Sequence, residues 1–381
     1  MRIGLISGEY APMQGGVADF TRELGKALVR AGHEVFVLTD ESGIGEGDPG
    51  VEVCASVRNW NLAALWRVRH WARANRLDVV NLQYQTAAYN MAGLVHLIPW
   101  LLGDIPCVVT FHDLRVPYLF PKAGALRERA VLTLARHADA VIVTNPEDEQ
   151  QLLQAGGVDC LCRIPIGSNI PRLPREGFDR DLWRARLGIG SEGILIGYFG
   201  FLNRSKGVDT LLRALAQVGE DDGPVRLLML GGRTGASDPT NLEYADEIDD
   251  LIEALGLTDR VLWTGYIQPD EVSGYLYACD FCVLPYRDGV SFRRGTFMAA
   301  LAHHCAIITT RPAVPTPELV DGENVLLVPP DSVSELARAM QALAAQPEWR
   351  AQLAAGTRTL ADRFAWQRIA AETLDLFAAL R

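Results

Sequence analysis

The stretch Ile194-Leu-Ile-Gly-Tyr-Phe-Gly-Phe-Leu-Asn-Arg-Ser-Lys-Gly-Val-Asp-Thr-Leu-Leu-Arg-Ala-Leu215 decides the fold. Ile194–Phe199 is an apolar run of strand length, Gly200 to Gly207 is a polar loop closed by glycines, and Val208 to Val218 repeats its apolar residues at helical spacing. Arg226–Leu230 follows as a second strand and completes a β-α-β unit. The chain begins in the same order: strand Ile3–Ser7, a loop holding Gly15-Gly16, a helix from Val17 to Ala31 stopped by Gly32, then strand Glu34–Leu38. Gly16-Val-Ala-Asp-Phe-Thr-Arg-Glu-Leu-Gly-Lys-Ala-Leu28 echoes Gly207-Val-Asp-Thr-Leu-Leu-Arg-Ala-Leu215, and the echo predicts two domains of one architecture.

Working outward, apolar runs mark strands at Val79–Leu82, Cys107–Phe111 and Ala140–Val143 in the first half, and at Val261–Thr264, Phe281–Leu284 and Ala306–Thr309 in the second. Alternation with helices predicts α/β domains with parallel, doubly wound sheets. Between the halves, Ile164-Pro-Ile-Gly-Ser-Asn-Ile-Pro-Arg-Leu-Pro174 holds three prolines and a glycine, which oppose regular structure and mark a hinge. The expected division is an N-terminal domain over 1–172, a C-terminal domain over 173–362, and a segment 363–381 whose helix, about Trp366 to Leu380, crosses back to the first. Ligands of such sheets bind outside the carboxyl ends of the strands, so the expected site is a cleft between the two domains.

Composition narrows the function. The 381 residues are 49% hydrophobic and 22% charged, with 36 basic against 47 acidic side chains and a formal charge of -11. That balance argues against non-specific nucleic-acid binding, and no nucleic-acid partner is expected. Only Lys26, Lys122 and Lys206 are lysines; the other 33 basic residues are arginines. The most apolar stretch, Leu94 to Leu102, is short and broken by Pro99, so no membrane span is expected. With strand Ile3–Ile6 directly after Met1-Arg2, and seven cysteines at irregular spacing, the expected location is the cytoplasm. Cys279-Asp-Phe-Cys282, Cys160-x-Cys162 and His303-His304-Cys305 lack a second pair at metal-site spacing and read as packed thiols.

Gly188-Ile-Gly190-Ser-Glu-Gly193 matches the dinucleotide fingerprint, but it leads from a helix into a strand, the reverse of the required order. No P-loop, nucleophile elbow or zinc-protease motif occurs. The chemistry lies in the glycine loops, where backbone N–H groups gather at a helix N-terminus and absent side chains let a phosphate or sugar approach. In the second loop Arg204 and Lys206 bring two cations to a place where positive charge opposes the helix dipole. Arg287-Asp-Gly-Val-Ser-Phe-Arg-Arg-Gly295 brings two more before the helix Thr296 to Ala302, as if one diphosphate were held from two sides; the competing reading is a salt-bridged surface loop around Asp288. In the first half, Thr110-Phe-His112-Asp113 and Gln83-Tyr84-Gln85 end strands and point to sugar or acceptor contacts.

These residues resemble the retaining glycosyltransferases of family 4, which have the two-domain GT-B fold, over essentially the whole chain. The carriers are Gly15-Gly16-Val17, Phe111-His112-Asp113, Ile166-Gly167-Ser-Asn169, Phe199 to Gly207, Val261-Leu-Trp-Thr-Gly265, Tyr277 to Pro285, Pro317 to Leu327 and Phe364-Ala-Trp366. The resemblance implies a nucleotide-diphosphate-sugar donor held mainly by the C-terminal domain, an acceptor held by the N-terminal domain, and no obligatory metal or other cofactor. It places Gly15 and Gly16 near the donor, His112 on the donor sugar, Lys206 on the diphosphate, and Tyr266 and Ile267 beside the base. Donor contacts are further expected from Gly200, Ser291, Arg293, Arg294, Gly295 and Thr296, and acceptor-side contacts from Gln83, Tyr84 and Asp113.

Two departures stand out. Phe201 occupies the place of the family's phosphate-binding arginine, with Arg204 three residues on as its expected replacement. The two glutamates of the family's E-x7-E motif fall at Ser291 and Ala299, so neither carboxylate is present. The leading expectation is therefore a hexosyltransferase-like retaining enzyme acting on a glycan, lipid-linked or small-molecule acceptor. Its alternative is a non-catalytic GT-B subunit that binds a sugar nucleotide or regulates a partner, and a sugar-nucleotide epimerase stands behind both. Residues 61–76, with Trp66, Trp71, Arg67, Arg69, Arg73 and Arg76, read either as a basic-aromatic helix that docks on an anionic membrane face or as a helix packing Leu62, Leu65, Trp66 and Val68 inward.

Overall fold

The computed structural model describes residues 1–13, 15–43, 47–114, 124–174, 176–219, 224–233 and 240–380. The chain divides into two compact units, Met1–Asn169 with Ala365–Arg381, and Ile170–Phe364. Lys122 lies outside the described residues.

The first unit is built on seven parallel strands: β1 (Arg2–Ser7), β2 (Glu34–Asp40), β3 (Val51–Val57), β4 (Val79–Tyr84), β5 (Cys107–Phe111), β6 (Ala140–Val143) and β7 (Leu161–Arg163), in the spatial order β3-β2-β1-β4-β5-β6-β7. Its helices are α1 (Gly16–Arg30), α2 (Leu62–Ala74), α3 (Ile98–Leu102), α4 (Gly124–His137) and α5 (Pro146–Ala155). In β1 Ile3 and Leu5 face one core, shared with Phe20, Leu24 and Leu28 of α1, while Ile6 joins a second core with Trp60, Leu65, Val68 and Trp71. Both faces of the sheet are therefore covered, which explains strands that read as unbroken apolar runs rather than alternating ones. Lys26 is structural: its ammonium meets Glu23 at 2.8 Å and Asp48 at 3.5 Å, beside the Arg22–Asp48 pair at 2.7 Å.

The second unit repeats the plan with α6 (Arg180–Ala185), β8 (Ile194–Phe199), α7 (Val208–Leu215), β9 (Val225–Leu230), α8 (Thr240–Ala254), β10 (Val261–Trp263), α9 (Pro269–Ala278), β11 (Phe281–Leu284), α10 (Gly295–Ala302), β12 (Ile307–Thr310), β13 (Leu326–Val328), α11 (Val333–Ala345) and α12 (Pro347–Ala361). All its strand pairs are parallel, in the order β10-β9-β8-β11-β12-β13. Arg184 is 1% exposed, yet its guanidinium donates to Gly190 O and Gly193 O and pairs with Asp280 at 3.1 Å, which offsets its desolvation. All seven cysteines are free thiols. Gly197 makes room for two of them, since a Cβ there would lie 2.8 Å from Cys279 Sγ and 3.2 Å from Cys282 Sγ.

The chain then closes on the first unit through α13 (Trp366–Ala379), whose Ile369, Ala370, Leu376 and Phe377 enter the core with Phe20 and Leu24. Trp366 lies against Gly167, where a Cβ would come within 2.6 Å of the indole, and its Nε1 donates to Ser168 O at 2.7 Å.

Both sheets change direction at one point. After β1 the chain goes to β2 and later returns to β1's other side as β4; after β8 it goes to β9 and returns as β11. Loops leaving the carboxyl ends at such a switch point diverge and leave space for a ligand. The loops concerned are those after β1 and β4 in one unit and after β8 and β11 in the other, with His112 immediately beyond β5.

Candidate functional site

In the first unit the glycine loop holds an anion of its own. Glu9 Oε1 accepts from Val17 N at 3.2 Å and Ala18 N at 3.3 Å, the donors at the start of α1. A Cβ on Gly15 would stand 2.3 Å from that oxygen, so glycine here makes way for the carboxylate. Burial raises the Glu9 pKa, and burial likewise raises that of Asp19, one turn into the helix, which accepts from Asn169 at 2.6 Å. Gly15 and Gly16 thus frame a helix start whose charge complement is internal.

His112 follows β5, its main chain held by a bond from its N to Tyr84 O at 3.0 Å. The imidazole Nε2 lies 2.9 Å from Gln83 Oε1, and the Phe20 ring meets the imidazole edge-on at 4.7 Å. Burial alone pushes its pKa down to about 3, so the ring is neutral at physiological pH. Asp113 is half-buried beside it. Gln83 and Tyr84, expected as acceptor-side contacts, are 0% and 1% exposed. Both still belong to β4, and neighbouring elements cover them: Gln83 bonds His112 and Asn81, while the Tyr84 hydroxyl bonds His96 at 2.8 Å.

In the second unit the loops after β8 and β11 converge. Arg287 N donates to Ser205 O at 2.9 Å, and a Cβ on Gly207, at φ +66°, would collide with Pro285 O at 2.2 Å. Glycine at 207 is thus required by both conformation and contact. Lys206 is turned inward: its Nζ lies 2.8 Å, and Thr296 Cγ2 2.9 Å, from where a Cβ on Gly200 would stand. Desolvation, followed by the charge of Arg294, lowers the Lys206 pKa to about 8. Among the described residues the ammonium has no hydrogen-bond or ion-pair partner. Arg294, the residue before α10, lies over the Tyr286 ring at 4.7 Å and pairs with Asp288, and the Tyr286 hydroxyl bonds Thr296 Oγ1 at 2.6 Å.

The structure therefore brings together Gly200, Lys206, Arg294 and Thr296, with Ser291, Arg293 and Gly295 in the same loop and helix start. Arg204 is engaged elsewhere: its side chain is 57% exposed, pairs with Glu247 and lies over the Tyr244 ring at 5.0 Å. Arg287 is likewise committed, to Asp209 at 2.6 Å and Asp331 at 2.9 Å. Tyr266 is 62% exposed and Ile267 half-buried, both just beyond β10. Ala299 is wholly enclosed in α10.

Several contributors were not legible in sequence. Glu9 carries no motif of its own, and Asn81 and Thr110 look like interruptions in apolar strands. Phe20 and Trp366 reach the histidine's surroundings only through packing, with their rings 5.3 Å apart. A polar residue inside an otherwise apolar strand was the one available signal.

Two parallel sheets, each with a topological switch point, and an inward lysine among glycines beyond one of them are the architecture of the GT-B class. The family model for a glycosyl transferase 4-like domain matches residues 15–167, and that for glycosyl transferases group 1 matches residues 193–346. The chain belongs to this family of glycosyltransferases. Its relatives include the D-inositol 3-phosphate glycosyltransferase of Xylanimonas cellulosilytica, 27% identical over 99% of this chain and 96% of that protein. The enzyme of the same name from Corynebacterium diphtheriae is 27% identical over 98% of this chain and 93% of its own length. Similar solved structures are sucrose-phosphate synthase from Thermosynechococcus elongatus, with a TM-score of 0.75 and 24% identity over 100% of this chain and 98% of that one, and Anabaena Alr3699/HepE in complex with UDP and glucose, with a TM-score of 0.76 and 19% identity over the whole of both.

Proposed function

We propose that the protein transfers a sugar from a nucleoside-diphosphate-sugar to an alcohol of a glycan, lipid-linked or small-molecule acceptor, with retention of configuration. The observation that carries this reading is Lys206, an enclosed ammonium with a second cation, Arg294, beside it and no counter-charge of its own among the described residues. Confining one cation near another is unfavourable unless an anion joins them, and a diphosphate is an anion of the right charge. The solved Anabaena relative holds UDP and glucose, which supports a nucleotide-sugar as the donor. Lys206 and Arg294 would receive the charge that develops on the departing diphosphate, and a phosphate oxygen would take the acceptor's proton on the same face. Stabilising that charge lowers the barrier without a carboxylate base, in keeping with Ser291 and Ala299. Because two fixed cations would supply the neutralisation, turnover should persist in EDTA. His112, from the first unit, would meet a hydroxyl of the sugar, and Tyr266 and Ile267 would border the base.

The protein would act at the cytoplasmic face of a membrane, held there by the outward face of α2, where Leu62 and Trp66 are 63% and 64% exposed alongside Arg67, His70 and Arg73. Among the described residues no helix is long and apolar enough to cross a membrane.

The experiment is a thermal-shift panel of nucleotides and nucleotide-sugars, followed by nucleotide release with candidate acceptors. A donor at a hundred times its Kd stabilises the folded state by about 2.7 kcal/mol. One nucleotide-sugar should raise the melting temperature of the wild type, and Lys206→Ala should abolish the shift. If none does, or the variant responds as the wild type does, the proposal is wrong.

A further inference from the structure

The interior of the first sheet holds a polar chain that transfer chemistry does not by itself require. Asn81, Gln83 and Thr110 are 0%, 0% and 1% exposed, on the adjacent strands β4 and β5. Asn81 Nδ2 donates to Val108 O at 3.2 Å and to Thr110 Oγ1 at 2.9 Å. Gln83 Nε2 donates to Asn81 Oδ1, and Gln83 Oε1 faces His112 Nε2 at 2.9 Å.

The direction of every bond follows from one end. Val108 O is a backbone carbonyl and can only accept, so the Asn81 group facing it is its amide nitrogen. Asn81 Oδ1 then faces Gln83, which must present its own nitrogen. The Gln83 oxygen is left for His112, and an oxygen acceptor requires a proton on Nε2. Neutral imidazole carries one proton, so Nδ1 is a bare acceptor. Among the described residues Nδ1 has no hydrogen-bond partner. Phe20 fixes the ring from its edge, and Trp366 stands behind Phe20.

We infer that Asn81 and Gln83 are positioning residues that hold His112 as its Nε2–H tautomer, so that Nδ1 accepts a hydrogen bond from a hydroxyl of the transferred sugar. This rests on the transferase reading for the identity of the ligand, but the tautomer does not depend on it. Acid–base chemistry is then not the histidine's task. The depressed pKa agrees, since burial is its only cause. Among the described residues, the charged groups on the elements packed around it are Glu9, Asp19, Arg22, Glu23, Lys26 and Arg30 at and along α1, Asp113 after β5, and Arg368, Glu372 and Asp375 on α13. None of them contributes to the shift.

Two measurements test the inference. Nitrogen-15 NMR of the imidazoles, with His112 identified by its loss in His112→Phe, should show a neutral Nε2–H ring throughout pH 5 to 8. A proton on Nδ1, or titration within that range, overturns the inference whether or not any sugar nucleotide binds. The second is kinetic. Gln83→Leu should raise KM for the donor sugar by about tenfold while leaving affinity for the free nucleoside diphosphate unchanged, the size expected for one hydrogen bond. Gln83→Glu should stabilise an imidazolium, introduce a titration near neutrality that the wild type lacks, and recover wild-type kcat/KM as pH rises above it. A Gln83→Glu profile parallel to that of the wild type overturns the positioning role. Absence of nucleotide-sugar binding in every variant and in the wild type would instead overturn the transferase reading, with the NMR result still standing.

Discussion

Lys206 costs stability in the empty protein. Its folded pKa of about 8 lies below its ordinary value of 10.5, so the unfolded chain binds protons more readily across that interval. The stability penalty is therefore fully present below pH 8 and fades as pH rises towards 10.5. Lys206→Met should raise unfolding free energy at pH 7 by about 1–3 kcal/mol, the upper figure reduced for partial solvent contact, and the gain should vanish in alkaline buffer. The same variant should lose nucleoside-diphosphate affinity, so denaturant melts paired with calorimetric titration should move in opposite directions. In the wild type, diphosphate binding above pH 8 should take up a proton and weaken by about tenfold per pH unit. A pH-independent affinity between pH 7 and 9.5 would falsify the assignment of this lysine. The sequence singles out Lys206, one of three lysines, by its place beside a glycine loop, and offers both Arg204 and the Arg293-Arg294 pair as its companions. The structure separates the two offers, because Glu247 and Tyr244 from α8 engage Arg204, whereas Arg294 arrives from a loop some ninety residues on.

Among the elements, α13 shows how far a local pattern reaches. The chain's organisation predicts a helix that crosses back to the first unit, but the seat of Trp366 against Gly167 and Phe20 follows only from packing. Trp366→Ala should destabilise the protein by about 2–4 kcal/mol, through lost burial and a cavity beside Phe20. Trp366→Phe should cost less, and urea unfolding distinguishes the two; equal stability of both with the wild type would show that the contact is idle. Because Phe20 braces His112, the alanine variant should also raise KM for the donor sugar. Buried strands such as β1, β5 and β11 were legible as apolar runs because both sheet faces are covered. β3 escapes a reading by apolar runs because Glu52 and Ser56 interrupt it on an edge strand. Gln83 and Tyr84 were read as loop-facing since they end an apolar run, yet β4 continues through Tyr84 and buries them.

For the whole molecule, the formal charge of -11 would repel an anionic membrane were the charges evenly spread. On α2 they are not: the helix carries Arg67, Arg69 and Arg73 and no acidic residue. Leu65 and Val68 pack inward at 5% and 0% exposure, whereas Leu62 and Trp66 turn out to solvent. The inward-packing expectation thus holds for Leu65 and Val68 and fails for Leu62 and Trp66. Leu62, Trp66, His70 and Arg73 recur at three- and four-residue intervals, so a large aromatic ring and basic groups share one stripe. On the proposed membrane such a stripe would bury its ring at the lipid interface while the arginines met phosphate headgroups, each contributing about 1 kcal/mol near an anionic surface. Vesicles containing phosphatidylglycerol should carry the protein upward in a flotation gradient, and neutral phosphatidylcholine vesicles should carry little. Replacing Arg67, Arg69 and Arg73 together by alanine should reduce partitioning by about a hundredfold, and added salt should do the same to the wild type. Trp66→Ser should weaken binding to the same vesicles without altering its salt dependence, because it removes the apolar part alone. Equal flotation of the wild type and the triple variant would assign the stripe to another partner and detach the acceptor from the membrane.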